Sequence, residues 1–174
     1  PVLSFMVQDR SEASTAQAWT QAVCRTFNIP YAPTFTKAAD VIAFAMSLAK
    51  TQPAVFIIDE CQAFNRWAPA FWSELQNVWD RQRDESPLLL VMSGSIVSAM
   101  EDIFGNASRP LFGRTSGQIE VRPFAPSVIR QIMADENPEA SPMDLLTVYA
   151  MTGGVAEYLR LLAENAALSQ KTAV

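Results

Sequence analysis

The chain has 174 residues, two cysteines, no histidine and a net charge of −5, and 49% of its residues are hydrophobic. Without histidine and with only two cysteines, the composition excludes zinc sites, Ser-His-Asp triads and Cys-His nucleophiles, and the acidic balance does not indicate a nucleic-acid or membrane-surface binder, which normally carries a basic patch. The length predicts one globular domain, and free thiols with neither a signal peptide nor a membrane-length apolar run are typical of a cytoplasmic protein.

The first sixty residues predict two strands and two helices. Residues 2–7 form a short β-like run, and Ser14 with Gln17 resembles a capping box at the start of a helix. Apolar residues at helical spacing predict a second helix over Ala38–Ala49. Residues 54–58 then form a continuous apolar run, which is typical of a strand buried on both faces of a parallel sheet.

The rest of the chain predicts one more strand–helix alternation and then helices alone. A helix with Phe71, Leu75 and Val78 on one face separates the run at 54–58 from a second apolar run at 88–92, which is the spacing of one β-α-β unit. Further predicted elements are a short helix over 96–104, a loop over 105–117, a short strand over 118–122, and helices that start at Pro126, at Ser141 and after Gly154. This order predicts an α/β core over residues 1–124 and a small helical subdomain over residues 125–174, with a frayed tail from residue 169.

Two adjacent carboxylates, Asp59 and Glu60, end the first continuous apolar run. Open α/β sheets bind their ligands at the carboxyl ends of their strands. Because adjacent strand residues point to opposite faces, Asp59 can bind Mg²⁺ through water while Glu60 orients or deprotonates an attacking water, as nucleotide hydrolysis requires. The alternative is a strand that ends in acids because the following loop is exposed.

Polar side chains also follow the second apolar run. The Ser93 hydroxyl can donate to a phosphate and accept from water, which makes it a candidate contact to the γ-phosphate or the attacking water. For Ser95 we favour the alternative, a cap on the following helix. Arg114 lies in the predicted loop and, if that loop is near the carboxyl edge of the sheet, it can stabilise charge on a transferring phosphoryl group. A plain surface arginine is the alternative.

Four blocks of the sequence together resemble the archaeal-type ATPases, a family of AAA-like P-loop ATPases of archaea and bacteria. They are residues 56–62 (FIIDECQ), 91–95 (VMSGS), 110–118 (PLFGRTSGQ) and 152–159 (TGGVAEYL), which appear in the family's order. The resemblance implies a P-loop-NTPase-like parallel sheet flanked by helices and followed by a helical lid. It also implies that the intact protein binds and hydrolyses ATP with Mg²⁺.

The same resemblance implies roles for individual residues. Asp59 and Glu60 match the Walker B carboxylates, with Asp59 on Mg²⁺ through water and Glu60 catalytic. Gln62 matches the glutamine that commonly follows this pair, and is counted with the nucleotide-binding residues. Ser93 matches the sensor 1 residue, and Arg114 matches an arginine in a loop where related ATPases carry a finger that acts in cis or in trans.

The family's first strand, its phosphate loop and the following helix are missing, and the motif G-x-x-x-x-G-K-[ST] occurs nowhere in the sequence. The chain therefore resembles an internal fragment of such an ATPase. The missing strand is normally central, between the strand that ends at Ser93 and the strand around Ile119. Without it, these two strands close together or an apolar edge stays open and favours self-association or a protein partner.

Two other functions stay open from the sequence. A degenerate ATPase-like scaffold would have lost its phosphate loop and would bind proteins through exposed aromatic residues such as Trp67 and Trp72. A flavodoxin-like regulatory domain would have an acidic pocket at its strand ends, but it leaves the Gly-Arg and Thr-Gly-Gly blocks unexplained. What such an ATPase acts on does not follow from its fold.

Overall fold

The computed structural model of the chain describes residues 1–8 and 11–164, and the chain divides into two compact units, Pro1–Gly117 and Gln118–Val174. The predicted fraying from residue 169 lies outside the described residues. The elements of the first unit are β1 (Val2–Met6), α1 (Glu12–Thr26), α2 (Ala38–Ala49), β2 (Ala54–Asp59), a 3₁₀ turn (Cys61–Ala63), α3 (Phe64–Trp67), α4 (Phe71–Gln82), β3 (Leu88–Met92) and α5 (Val97–Gly105). The elements of the second unit are α6 (Pro126–Glu136), α7 (Pro142–Thr152) and α8 (Ala156–Glu164).

The three strands form one parallel sheet in the order β1-β2-β3. Val55 in the central strand pairs with Val2 of β1 and with Leu89 of β3, so all three strands start at the same level. Since parallel strands place their carboxyl ends at one edge, the end of β2 at Asp59 lies between the ends of its two neighbours. The predicted α/β fold class, with helices packed against a parallel sheet, is confirmed.

One face of this sheet forms the core of the first unit. Phe56 and Ile58 of β2 are completely buried there. Trp19 of α1 packs over the sheet, with its ring centroid 5.1 Å from that of Phe5 and 5.5 Å from that of Phe56. Helices α1 and α4 both pack against α2, which buries four alanines of its own. Small side chains let neighbouring helices approach closely, so the helical layer is dense.

The other face of the sheet is open within the described residues. Val2 and Leu89 expose 66% and 55% of their surfaces, and Val55 and Ile57 of the central strand are only half-buried. The expectation that residues 54–58 are buried on both faces was therefore wrong. A continuous apolar run shows that both faces suit burial, but not that a helix covers each of them. Parallel sheets normally have both faces covered.

The predicted strand over residues 118–122 is also absent, and that prediction was wrong. Ile119 and Val121 expose 92% and 91% of their surfaces. An alternating pattern makes a strand only where a neighbouring strand pairs with its N–H and C=O groups, and no described residue does so here. In the described sheet β3 is consequently an edge strand. An open edge was one of the two outcomes expected from the missing strand.

Helix boundaries follow local capping chemistry. The N-cap of α1 is Ser11, three residues before the predicted N-cap Ser14, and the Ser11 hydroxyl accepts a hydrogen bond from the Ser14 N–H. In the second unit, Ser141 and Asp144 form a reciprocal capping box at the start of α7. Gly153 ends α7 with φ 57°, a left-handed conformation that glycine adopts at little cost. The predicted starts at Pro126 and Ser141 are confirmed.

The second unit has a small core of its own. Ile129, Met133, Val148 and Leu159 form this core, so α6, α7 and α8 pack together. The turn at Gly154 lies against the backbone of Phe124, where a Cβ atom would clash with the carbonyl oxygen. In the described part of the chain, each helix is too short or too polar to cross a bilayer.

The one-sided sheet can be tested with two neighbouring leucines of β3. Leu88 is 6% exposed on the covered face and Leu89 is 55% exposed on the open face. We expect Leu88→Ala to lower the free energy of unfolding by about 2–4 kcal/mol because it leaves a cavity, and Leu89→Ala to lower it by less than about 1 kcal/mol. Urea titration followed by circular dichroism measures both. Equal losses would contradict an open face.

Candidate functional site

The predicted site residues Asp59 and Ser93 meet at the carboxyl edge of the sheet. The Ser93 hydroxyl donates a hydrogen bond of 2.6 Å to Oδ1 of Asp59. The backbone fixes this contact, since the Ser93 N–H donates to the carbonyl of Ile58 at 2.9 Å and the Ser93 carbonyl accepts from Cys61 at 3.0 Å. The parallel ladder between β2 and β3 thus continues past both strands and holds the serine beside the aspartate.

Glu60 leaves the strand instead of continuing it. Its backbone is left-handed, with φ 56° and ψ 37°, and the 3₁₀ turn begins directly after it. Residues other than glycine rarely adopt this backbone conformation, and such backbone strain concentrates at functional sites. The expected strand alternation of Asp59 and Glu60 was therefore wrong. Instead the turn brings the Glu60 N–H to Oδ1 of Asp59 at 3.0 Å and carries the Glu60 carboxylate toward the residues that follow β3.

Two side chains bind the same oxygen of Glu60. Nε2 of Gln62 donates to Oε2 of Glu60 at 2.6 Å, and the Ser95 hydroxyl donates to the same oxygen at 3.0 Å. Gln62 is buried, and its Oε1 has no hydrogen-bond partner among the described residues. It lies against Gly94, where a Cβ atom would clash with Oε1 and would be 2.6 Å from Sδ of Met100. A side chain at position 94 would therefore displace the end of the Gln62 side chain from this position.

Ser95 is the site residue that the sequence interpretation missed. The residue at the N-cap of α5 is Ile96, which makes no side-chain capping bond, so the expected capping role of Ser95 was wrong. A cap and a carboxylate contact use the same hydroxyl chemistry. The position of Ser95 in the sequence could have indicated its contact with Glu60, because Ser95 comes two residues after Ser93 at the edge where Glu60 also lies.

Arg114 is not brought to this cluster. Its guanidinium binds both carboxylate oxygens of Asp80 at 2.8 and 2.7 Å and donates to the carbonyl of Pro110 at 2.8 Å. This pairing lowers the pKa of Asp80, which the guanidinium stabilises in its charged form. Asp80 lies in the last turn of α4, the end of that helix that leads to the start of β3. The structure thus holds Arg114 near the amino edge of the sheet, and the expected position at the carboxyl edge was wrong.

The environment around the acid pair is strongly unfavourable to a further negative charge. Cys61 is completely buried next to the pair. Burial, followed by the charges of Glu60 and Asp59, raises the pKa of the Cys61 thiol from 9.0 to about 12. Its Sγ lies 3.7 Å from Sδ of Met100. Burial is the larger cause of this pKa shift, and the two neighbouring carboxylates add to it.

The donors at this edge suit magnesium better than zinc. Among the described residues, no group of three or more His, Cys, Asp and Glu side chains is arranged to hold a metal ion. Mg²⁺ needs fewer protein ligands, because it keeps several waters and takes one or two carboxylates together with phosphate oxygens. Oδ2 of Asp59 and Oε1 of Glu60 accept no hydrogen bond from the described residues. Asp59 could therefore hold a hydrated Mg²⁺, whereas no phosphate loop is present.

No protein-family model matches the chain, and no curated protein sequence matches it. Its structure is similar to that of a Walker-type ATPase of Pyrococcus abyssi, with a TM-score of 0.61 and 17% sequence identity. The similarity covers 91% of this chain and 53% of the archaeal chain, so this chain spans about half the length of that ATPase. At this identity the similarity establishes the fold alone, a parallel α/β sheet of the P-loop-NTPase-like type.

The buried thiol beside the acid pair predicts a dependence of stability on alkaline pH. A folded-state pKa above the unfolded one keeps the thiol neutral in the folded state, so the stabilisation is complete below pH 9.0 and is lost as the pH rises toward about 12. We expect the free energy of unfolding to fall more steeply above pH 9 in the native chain than in Cys61→Ala. Urea titrations between pH 7.5 and 10.5 measure the two slopes; identical slopes would contradict the raised pKa.

Proposed function

We propose that this chain is the catalytic-edge portion of an ATP-hydrolysing P-loop domain, with its phosphate loop supplied by additional polypeptide. The observation that carries the proposal is the 2.6 Å hydrogen bond between the Ser93 hydroxyl and Asp59 at the carboxyl ends of adjacent parallel strands. It places the candidate Walker B aspartate directly beside the candidate sensor 1 serine. The structural similarity to a Walker-type ATPase supports the same assignment.

Each residue of the edge has a distinct task in this proposal. Asp59 accepts two hydrogen bonds at Oδ1, which fixes its carboxylate and leaves Oδ2 for a water of hydrated Mg²⁺. Bound Mg²⁺ supplies charge neutralisation for the phosphate oxygens. Glu60 orients the attacking water and accepts its proton through Oε1. Ser93 donates to Asp59 here and has lone pairs with which to accept a hydrogen bond from that water.

The sheet offers a place for the additional polypeptide. The outer edge of β3 is unpaired in the described sheet, and the open face carries exposed Val2 and Leu89. Because parallel sheets are stable when both faces are covered and edges are protected, one further strand with its helix beside β3 would satisfy both requirements. Such a strand would end next to Ser93, so a phosphate loop following it would face the acid pair.

Arg114 has a restricted role in this proposal. It is paired with Asp80 and lies away from the acid pair. In this position Arg114 fits a finger that acts in trans better than one that acts in cis. That role requires Arg114 to leave Asp80, since a bidentate pair uses the same guanidinium donors that a phosphoryl group needs.

A scaffold without catalysis is the second candidate, and the open apolar face favours it. A sheet face with Val2 and Leu89 exposed is a surface for contact with another chain. Trp67 and Trp72, the residues expected to make this contact, pack in or against the core of the first unit. Trp72 is buried and donates to Oδ1 of Asn65 at 2.7 Å, and the Trp67 ring packs 4.8 Å from that of Phe64. The scaffold hypothesis predicts no nucleotide turnover in any longer form of the protein.

The chain alone should bind Mg-ATP weakly or not at all. The backbone amides and the lysine of a phosphate loop supply most of the affinity for phosphates, and this sequence lacks them. Isothermal titration of residues 1–174 with Mg-ATP measures this. Clear micromolar affinity would contradict the proposal that another segment supplies the phosphate site.

The catalytic role of Glu60 is tested in the longer polypeptide encoded by the same reading frame, once its upstream sequence is shown to contain a phosphate loop. We expect Glu60→Gln to lower kcat by about 10²–10⁴-fold, because the amide cannot accept the proton of water, and to leave nucleotide binding unchanged. Glu101→Gln is the matched control, since Glu101 is an exposed glutamate of α5. Equal turnover in the two variants would remove Glu60 from its role, and an upstream sequence without a phosphate loop would favour the scaffold.

A further inference from the structure

The Glu60 carboxylate is held by a small cluster that we call the Glu60 clamp, formed by Gln62, Gly94 and Ser95. We propose that Gln62 and Ser95 are positioning residues, which bind one oxygen of Glu60 so that the other oxygen acts on water. The inference rests on the proposed function and assigns to Gln62 a different task from the nucleotide contact that the resemblance implies.

The hydrogen bonds of the clamp converge on a single atom. Gln62 donates to Oε2 at 2.6 Å and Ser95 donates to it at 3.0 Å, and no described residue donates to Oε1. A glutamate side chain has three rotatable bonds, so a carboxylate without such donors samples several positions. Two donors from different segments fix both the position and the plane of the carboxylate. Oε1 then has one defined direction.

Backbone contacts hold Glu60 and Ser95 in the positions that the clamp needs. The left-handed conformation of Glu60 directs its side chain out of the strand, while the Cys61 N–H binds the Ser93 carbonyl at 3.0 Å. This bond joins the turn after β2 to the turn after β3. Ser95 therefore stays at a fixed distance from the residue it binds. The clamp connects the candidate base to the segment that also carries Ser93.

The burial of Gln62 argues against a purely structural role. Its Oε1 is buried and unpartnered among the described residues, and an unmade hydrogen bond there is costly. An apolar side chain of similar size, such as methionine, would fill the same space beside Gly94 without that cost. The amide is useful for its Nε2 donor, which binds Glu60. With Oε1 enclosed and one N–H of Nε2 bound to Glu60, at most one donor of the amide is left for another partner.

The clamp itself is tested by NMR on the 174-residue chain, with the side-chain amide protons of Gln62 as the probe. The hydrogen bond to Glu60 should shift these signals downfield, and we expect this shift to be lost in two variants. Glu60→Gly removes the carboxylate, and glycine tolerates the φ of 56° at this position. Gly94→Ala adds a methyl group that displaces the flexible end of Gln62. Asn28→Gly is the control for the first variant, since Asn28 has φ 55°. Gly105→Ala is the control for the second, since Gly105 has open space around it. Unchanged signals in both test variants would overturn the clamp.

Positioning is tested by turnover in the longer polypeptide. We expect Ser95→Ala to lower kcat by roughly tenfold, because misplaced catalytic groups lose rate, with KM for ATP unchanged and activity restored in Ser95→Thr. In a Glu60→Gln background, Ser95→Ala should cause no further loss, since the two residues act as a unit. A raised KM with unchanged kcat, or losses that add, would overturn the positioning role. If the native polypeptide shows no turnover, the proposed function fails, and the NMR result still decides whether the clamp exists.

Discussion

The parallel backbone pairing of β2 and β3 sets the geometry of the carboxyl edge, including the hydrogen bond from Ser93 to Asp59. This hydrogen bond forms because β2 and β3 pair in parallel and their backbone ladder continues for one more step on each side. That ladder places a carboxylate, a serine and the turn with Glu60 within hydrogen-bond distance of each other. A shift of one residue in the register would turn Ser93 toward the opposite face of the sheet.

The packing of the first unit is asymmetric, and this asymmetry has a physical origin. The buried face has the aromatic cluster of Trp19 and Phe56 and a layer of alanine-rich helix against it. The open face is as apolar in sequence, but it has no helix among the described residues. The folded state therefore derives its hydrophobic stabilisation from one side of the sheet. At the carboxyl edge of the sheet, Asp59, Glu60 and Ser93 are half-buried.

Much of the fold could be predicted because continuous apolar runs and capping residues act locally. The runs at 54–58 and 88–92 became strands, and Ser141 became a cap. The features that could not be predicted depend on contacts with residues that are distant in the sequence. Residues 118–122 have the alternation of a strand but no neighbour, and Ser95 has the chemistry of a cap but found a carboxylate instead. Likewise, the position of Arg114 depends on the edge of the sheet that the chain reaches after α5. The residues next to Arg114 in the sequence do not specify this edge.

The contact between Trp72 and Phe104 gives the chain an intrinsic optical reporter. The two rings meet edge to face with their centroids 6.4 Å apart, one on α4 and the other on α5. Helix α5 begins directly after the turn that holds Ser93 and Ser95. A displacement of that turn would move Phe104 relative to the indole of Trp72, which is one of four tryptophans in the chain. We expect the contribution of Trp72 to the emission spectrum to respond to such a displacement at the carboxyl edge of the sheet.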